Sequence, residues 1–181
     1  MVLSLTLISL VMSAALSIAY LKTKGPIEQA EKQKEKSGIE QVVPAFDNNP
    51  ASAVMDTNGL KIYTLRKQDQ LVGYAVRTYT DKGFGGHIDI IAGFLPDGSI
   101  YNTVVIQHKE TPGLGTKMLE PKFKDQFQGK NPATFQLTVK KDGGQVDAIT
   151  AATISSRAYC DALQRAYDGL HTINGSIGAT Q

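Results

Sequence analysis

The sequence contains a single cysteine, Cys160, three histidines and no tryptophan among its 181 residues. One cysteine cannot form an internal disulfide, a CxxC redox pair or the thiolate ligand set of a metal centre. The histidines, at positions 87, 108 and 171, are far apart in sequence, and none has another ligand-type residue at metal-binding spacing. We therefore expect no metal site, and any redox chemistry must come from a bound cofactor.

The chain also lacks a strong charge of either sign, because 19 basic and 17 acidic residues leave a formal net charge of +2. It contains no Lys/Arg-rich stripe with interleaved aromatic residues, so no nucleic-acid partner is expected. A hydrophobic content of 41% is ordinary for a folded domain. The length suits one domain with a real hydrophobic core.

Residues 2–21 contain no charged residue, no proline and no glycine. A helix of this length, at roughly 1.5 Å per residue, spans a bilayer core of roughly 30 Å. The run predicts a membrane anchor over residues 1–22, in contact with lipid. A cleaved signal peptide is the alternative, because Ser17-Ile18-Ala19 is a passable cleavage site. By the positive-inside rule, Lys22 and Lys24 would hold the rest of the chain in the cytoplasm.

A stalk and linker are predicted for residues 23–58. Gly25 and Pro26 would end the membrane span. Residues 26–42 are rich in Glu, Gln, Lys and Ala, which indicates a solvated helix rather than a core element. Residues 44–58 are rich in turn-forming residues.

The segment at 59–175 is predicted to form an α+β domain with a mainly antiparallel sheet and flanking helices, followed by a tail at 176–181. A strong hairpin signal, Pro96-Asp97-Gly98-Ser99, separates two of its strands. The predicted strands are 60–65, 71–76, 88–94, 100–107 and 134–139. The predicted helices are 117–128 and 153–170.

Residues 147–156, Asp-Ala-Ile-Thr-Ala-Ala-Thr-Ile-Ser-Ser, place four hydroxyl groups around the start of the last predicted helix. The first N–H groups of a helix have no internal partner, and the helix dipole favours an anion there. A phosphate group could be held at this point. An ordinary Ser/Thr N-cap explains the same residues, so local chemistry leaves both interpretations open.

This segment resembles the flavinylation motif of the FMN-binding domain family, Asp-x-x-[Ser/Thr]-Gly-Ala-[Thr/Ser], whose last residue takes FMN through a phosphoester bond. Asp147, Thr150 and Ala152 match the motif, and Thr153 occupies the acceptor position. Ala151 replaces the usual glycine. Its methyl group would matter if the backbone needed a positive φ at this position.

A second Gly-Ala-Thr, at residues 178–180, provides a comparison. Asn174 rather than Asp stands six residues before Thr180, and Ile177 rather than Ser or Thr stands three before it. We interpret this second occurrence as a chance match.

A further signature lies at residues 108–115, His-Lys-Glu-Thr-Pro-Gly-Leu-Gly. It resembles the Glu-Thr-Pro-Gly-Leu-Gly loop of the G subunit of Rnf complexes and of the related C subunit of sodium-pumping NADH:quinone oxidoreductases. Both have a single N-terminal span and an extracytoplasmic FMN domain. With the glycine loop at 83–86 and the turn at 97–98, the resemblance covers nearly the whole chain. The short length and compact stalk are more similar to the Rnf protein.

The resemblance implies an electron-transfer subunit of an ion-translocating ferredoxin:NAD oxidoreductase complex, with FMN bound covalently to Thr153. It implies a single-pass protein of the inner membrane with its soluble domain on the extracytoplasmic, periplasmic side. The implied partners are the other subunits of the complex and a flavin transferase that uses FAD and Mg²⁺. We expect no catalytic acid, base or nucleophile apart from Thr153 during maturation. The related component of the sodium-pumping quinone oxidoreductase and an anchored binding or assembly module without a redox role are the alternatives.

The predicted cofactor-binding residues lie in the two signature segments. The loop glycines let the backbone approach a flat ring, and the leucine between them can cover one ring face. The acidic and hydroxyl residues of the loop can hydrogen-bond the flavin or brace the loop, and a lysine can place positive charge near the ring or phosphate. These residues are Thr153, Asp147, Thr150, Ala152, Ser155, Ser156, Glu110, Thr111, Gly113, Leu114, Gly115 and Lys117.

Overall fold

A computed structural model describes residues 2–57 and 59–178, with the side chains of residues 53 and 173–178 left undescribed. The chain divides into two compact units, Met1–Lys36 and Ser37–Gln181. The predicted tail therefore lies partly outside the described residues.

Helix α1, Val2–Val42, is the single helix among the described residues that is long and apolar enough to cross a membrane. The apolar side chains of its first part are exposed, as Leu3 and Leu16 illustrate. Helix α1 continues through Gly25 and Pro26, so the end of the membrane span predicted at these residues is not marked by a break in the helix and stays a prediction. A proline inside a helix removes one backbone hydrogen bond and bends the helix, but the turns on either side can still propagate.

The second unit is built on a five-stranded antiparallel sheet whose strands follow one another in sequence order. The α+β prediction and four of the five predicted strands are confirmed. The first strand lies in the predicted linker and was missed, because it is short and mostly exposed and so shows no inside-outside alternation. The strands are β1 Val54–Thr57, β2 Leu60–Lys67, β3 Gln70–Gly83, β4 Gly86–Phe94 and β5 Ile100–His108.

Helix α3, Thr153–Gly178, packs on one face of this sheet. The helix predicted from Thr153 is confirmed, and its predicted apolar side is buried. Two polar contacts fix it to the strands. The Thr78 hydroxyl donates to the Ala162 carbonyl at 3.1 Å, and the hydroxyls of Thr103 and Tyr159 lie 2.7 Å apart. The second and third turns of α3 are thereby fixed to the strands.

The end of α1 covers the opposite face of the sheet. Ile39 and Val42 are buried there in a cluster with Leu65, Ala75 and Ile91. The prediction that residues 26–42 form a solvated stalk was therefore wrong for this last turn. Charged residues dominate the sequence up to residue 36, and the two core-forming residues after them are too few to show a period.

The connection from β5 to α3 contains only short helical turns. The predicted helix at 117–128 is broken into Gly115–Leu119, α2 Pro121–Lys124 and Asp125–Phe127, the first and last being 3₁₀ turns. Pro121 explains the break, because a proline forces the preceding residue out of helical conformation, and Glu120 has ψ 143°.

The strand predicted at 134–139 is absent from the described structure. Val139 makes one isolated bridge with Val146, and Leu137 and Val139 are buried in the main core. The alternation of apolar residues at 137 and 139 is typical of a strand, but the backbone of this segment bonds to residue 146 of the same loop and not to a strand of the sheet. The Val146 N–H donates to the Thr138 carbonyl at 3.0 Å.

Candidate functional site

A cavity of about 330 Å³ opens where three segments meet: the tip of the β3–β4 hairpin, the loop after β5, and the start of α3. Its volume lies within the range of small-molecule sites, which are typically lined by apolar groups with a few polar ones. The lining residues are Phe84, Glu110, Thr111, Leu114, Gly115, Ala151, Ala152, Thr153, Ile154 and Ser155. Seven of them are among the predicted cofactor-binding residues.

Thr153 is the first residue of α3 and is partly exposed at this cavity. The Ser156 N–H donates to the Ala152 carbonyl at 3.1 Å, so helical hydrogen bonding starts at Ser156. The N–H groups of Thr153, Ile154 and Ser155 precede this bond and have no acceptor within the helix. They provide donors and a partial positive charge beside the Thr153 hydroxyl, where a phosphate would be stabilised.

Ala151, immediately before this helix start, has φ 62°. This is the left-handed region, which costs an L-residue roughly 1–2 kcal/mol relative to ordinary backbone. The backbone at this position therefore does have a positive φ, so replacement of the usual motif glycine by Ala151 introduces strain. The left-handed residue turns the chain so that Ala152 can precede the helix and Thr153 can begin it.

Glu110 is the residue that connects the three segments of the site. Its side chain is buried, and its two carboxylate oxygens accept hydrogen bonds from the Gly85 N–H at 3.0 Å and the Ser155 hydroxyl at 2.5 Å. Gly115 packs directly against this pair, since a Cβ there would collide with the Glu110 carboxylate. These hydrogen bonds brace the loop, which is one of the two roles predicted for Glu110, and a contact of Glu110 with the flavin stays a prediction.

Ser156 also has protein partners. Its hydroxyl donates to the Ala152 carbonyl at 3.0 Å and accepts from the Ile149 N–H at 2.9 Å. The side chain thereby closes the loop onto the first turn of α3. The hydroxyls of Ser155 and Ser156 are thus both buried and bonded to protein groups, and they stabilise the loop and helix start that form the cavity.

The loop at 110–116 is closed by its own hydrogen bonds. The Thr111 carbonyl accepts from the Leu114 N–H at 3.2 Å, and the Gly113 N–H donates to the Thr116 hydroxyl at 2.9 Å. Gly113 has φ 75°, which glycine adopts without strain, and it supports the loop without lining the cavity. Leu114 is presented at the cavity and is 41% exposed.

Three predicted site residues lie elsewhere. Lys117, Asp147 and Thr150 line a neighbouring cavity of about 180 Å³ rather than the one at Thr153. The Asp147 carboxylate pairs with Lys140 Nζ at 2.8 Å, and its N–H donates to the Gln126 side chain at 2.8 Å. The structure therefore separates the two ends of the 147–153 motif.

An ion pair joins α3 to the 3₁₀ turn Lys140–Asp142, which lies before the 147–153 motif in the chain. Arg157 donates from Nε and Nη2 to the two Asp142 oxygens at 2.6 and 2.7 Å. The hydrogen bond from Arg157 lowers the pKa of Asp142 below its ordinary value. The ion pair therefore fixes the beginning of the 143–152 loop to α3 at Arg157.

Phe84 and Ile154 line the cavity but were not among the predicted site residues. Both are unusually exposed for large apolar side chains, Phe84 at 69% and Ile154 at 46%. The glycines that flank Phe84 were the available signal, because they mark a tight hairpin tip at which one aromatic side chain is presented.

These residues fit FMN. The cavity offers apolar side chains to a flat ring, the helix start offers N–H donors to a phosphate, and a hydroxyl suited to a phosphoester stands between them. Among the described residues, no cluster of three His, Cys, Asp or Glu side chains could hold a metal ion.

The FMN-binding domain family matches residues 83–168, a range that contains all three segments of the cavity. Fold and site thus define an FMN-binding domain that follows an apolar N-terminal helix. The chain is 35% identical to the G subunit of the ion-translocating oxidoreductase complex of Erwinia tasmaniensis, over 87% of this chain and 82% of that protein. It is 35% identical to the protein of the same name from Methanosarcina acetivorans, over 92% and 91%.

A third relative is the G subunit of the Na⁺-translocating ferredoxin:NAD⁺ oxidoreductase complex of Acetobacterium woodii, 31% identical over 85% of this chain and 82% of that protein. The chain belongs to this G-subunit family of ion-translocating oxidoreductase complexes. Membership of a membrane complex and the apolar N-terminal helix together support a membrane anchor.

Proposed function

We propose that this chain is a membrane-anchored electron-transfer subunit that carries FMN covalently on Thr153. The observation that carries the proposal is the position of Thr153, a partly exposed residue at a helix start that lines an apolar cavity in a matched FMN-binding domain. When bound, FMN supplies one- or two-electron transfer. The chain supplies its placement.

Attachment requires one covalent step. The Thr153 Oγ forms a bond to the FMN phosphorus of FAD, the anhydride bond of FAD breaks, AMP leaves, and the hydroxyl proton is released. A flavin transferase with Mg²⁺ performs this step. The partial exposure of Thr153 supports it, because the acceptor hydroxyl can be reached from outside the folded domain.

Each part of the cavity then has a task. The free N–H groups at the start of α3 hold the phosphate. The apolar side chains of Leu114 and Ile154 contact the ring, and Glu110 keeps the loop and the helix start together. Because the covalent bond prevents dissociation, the site can stay shallow and leave a ring edge accessible to a redox partner.

The redox partners are other subunits of the complex. The Acetobacterium woodii relative is named for electron transfer between ferredoxin and NAD⁺ coupled to Na⁺ translocation. We extend ferredoxin:NAD oxidoreduction coupled to ion translocation to the complex of this chain. Co-purification of the other subunits from host membranes tests this assignment against the quinone oxidoreductase alternative.

The central experiment is mass spectrometry of the Thr153 peptide from chain purified from host membranes, or co-expressed with the flavin transferase. We expect the mass of an FMN phosphoester on Thr153 and flavin fluorescence in the denatured, washed chain. Thr153→Ala abolishes both. Thr180→Ala, in the second Gly-Ala-Thr, is the matched control and retains the flavin.

An unmodified Thr153 in the wild-type chain from host membranes would contradict the proposal and favour an anchored module without a redox role. Retention of covalent flavin by Thr153→Ala would place the attachment elsewhere. Expression without the transferase is not a test, because both hypotheses then predict a chain without flavin.

We propose that the soluble domain faces the extracytoplasmic side, as the resemblance implies. Lys22 and Lys24 would favour the opposite orientation by the positive-inside rule. Tyr101→Cys places a thiol at an exposed position, whereas Cys160 is buried. A membrane-impermeant maleimide should label Tyr101→Cys in intact spheroplasts and leave the wild-type chain unlabelled. Labelling of the variant only after lysis would show that the soluble domain faces the cytoplasm, contrary to the proposal.

A further inference from the structure

The tip of the β3–β4 hairpin presents one aromatic side chain to the cavity at Thr153. Phe84 lines that cavity and is 69% exposed. A phenylalanine gains stability by leaving water, so an exposed one beside an apolar cavity indicates a surface that a ligand covers. The β3–β4 turn itself needs a conformation, not an aromatic ring, at this position.

The hairpin tip is closely packed around its glycines. Gly86 has φ 89°, which favours glycine. Side chains are excluded on either side of Phe84, since a Cβ at Gly83 would collide with the Gly86 carbonyl and one at Gly85 with the Lys109 carbonyl. The glycines therefore let the hairpin tip that carries Phe84 pack against the neighbouring loop.

The position of Phe84 is also coupled to that of Thr153. The Gly85 N–H donates to one Glu110 oxygen at 3.0 Å, and the Ser155 hydroxyl donates to the other at 2.5 Å. One buried carboxylate thus joins the residue after Phe84 to the residue two after Thr153. A group attached to Thr153 would meet an aromatic side chain whose backbone is tied to the same carboxylate as the start of α3.

Resting on the proposed function, we infer that Phe84 is a positioning residue for the flavin, with its ring against the isoalloxazine. Leu114 and Ile154 supply the remaining apolar contacts. Aromatic rings favour stacked or edge-to-face contact with one another. Phe84 therefore shields the ring from solvent and sets its orientation relative to Thr153.

The test introduces a fluorescence quencher at this point in the full-length flavinylated chain. A tryptophan in contact with a flavin quenches its emission by electron transfer to the excited ring. Phe84→Trp should lose most of its flavin emission per flavin if the two rings are in the stacked or edge-to-face contact that aromatic pairs favour. Tyr101→Trp is the matched control, because Tyr101 is an exposed aromatic residue outside the cavity, and its emission should equal that of the wild type.

A second variant keeps the inference testable if tryptophan disturbs the hairpin. Phe84→Ala removes the apolar side chain that covers the ring, so the Stern–Volmer constant for quenching by iodide should rise above that of the wild type. Phe84→Leu restores part of the protection. Thermal melting of the flavin-free chain should be nearly unchanged in all three variants, since Phe84 is largely exposed there.

The outcomes separate the inference from the proposed function. A wild-type chain without covalent flavin overturns both. A flavinylated chain in which Phe84→Trp matches Tyr101→Trp in emission, or in which Phe84→Ala leaves iodide quenching unchanged, overturns the role of Phe84 alone. Strong quenching confined to Phe84→Trp, with increased iodide access in Phe84→Ala, supports it.

Discussion

The Ser155 hydroxyl lies 2.5 Å from Glu110 Oε2, although 45 residues separate the two in sequence, and both residues are buried. A buried carboxylate is costly to desolvate and must be hydrogen-bonded. The Gly85 N–H donates to the other Glu110 oxygen at 3.0 Å. This arrangement joins the helix that begins at Thr153 to the loop that presents Leu114.

The first prediction concerns the pair of Ser155 and Glu110. Ser155→Ala should lower the free energy of unfolding by about 1.5–3 kcal/mol, because a buried carboxylate loses a donor. The measurement is denaturant unfolding of the flavin-free chain. Ser99→Ala, which removes an exposed hydroxyl from Asp97, should cost much less. Equal losses in the two variants would contradict a special role for the buried pair.

Ala151 supplies the second prediction. Ala151→Gly should raise the free energy of unfolding by about 0.5–1 kcal/mol, because relief of the left-handed strain exceeds the entropy that glycine adds to the unfolded chain. The melting temperature should rise by about 1–4 °C. Ala133→Gly, at another exposed position without a positive φ, should be destabilising. A stability loss in Ala151→Gly would contradict the strain.

Cys160 supplies the third prediction. Burial raises the pKa of its thiol to about 12. Only the thiolate reacts with maleimides and disulfide reagents, and near pH 8 almost none is present in the folded chain. The folded protein should therefore resist labelling at this pH and react fully once denatured. Fast stoichiometric labelling of the native chain would show that the thiol is accessible.

The fourth prediction concerns the ion pair of Asp142 and Arg157. The lowered pKa of Asp142 means that its stabilising contribution is fully present above the ordinary aspartate pKa, about 3.9, and is lost as pH falls through the lower folded value. Arg157→Gln should therefore melt below the wild type at about pH 6, and the difference should disappear as the pH falls below the folded pKa of Asp142.

Because both groups are exposed, salt should also reduce the difference between the two chains at about pH 6. Asp142→Asn should reproduce the effect of Arg157→Gln, and combining the two should add little. A difference in melting temperature that persists at low pH would assign the effect to packing of the Arg157 stem.

Local patterns in the sequence specified much of the fold. Apolar alternation located four strands, the Pro-Asp-Gly turn located the β4–β5 hairpin, and the hydroxyl-rich segment located the start of α3 at Thr153. Each of these features depends on residues close together in the chain, which is why it could be predicted. The same patterns failed at 134–139, because alternating burial does not reveal whether a neighbouring strand is available.

Tertiary structure decided how the site is arranged. The sequence by itself placed Asp147 and Thr153 in one motif, but the fold directs them to different cavities, and Lys140 pairs with Asp147. The fold also places Phe84, from the β3–β4 hairpin, at the cavity that Thr153 lines. Periodicity reports that a side chain is buried or exposed, and not what lies against it. Contacts between distant segments depend on how the sheet, the loop and α3 pack together.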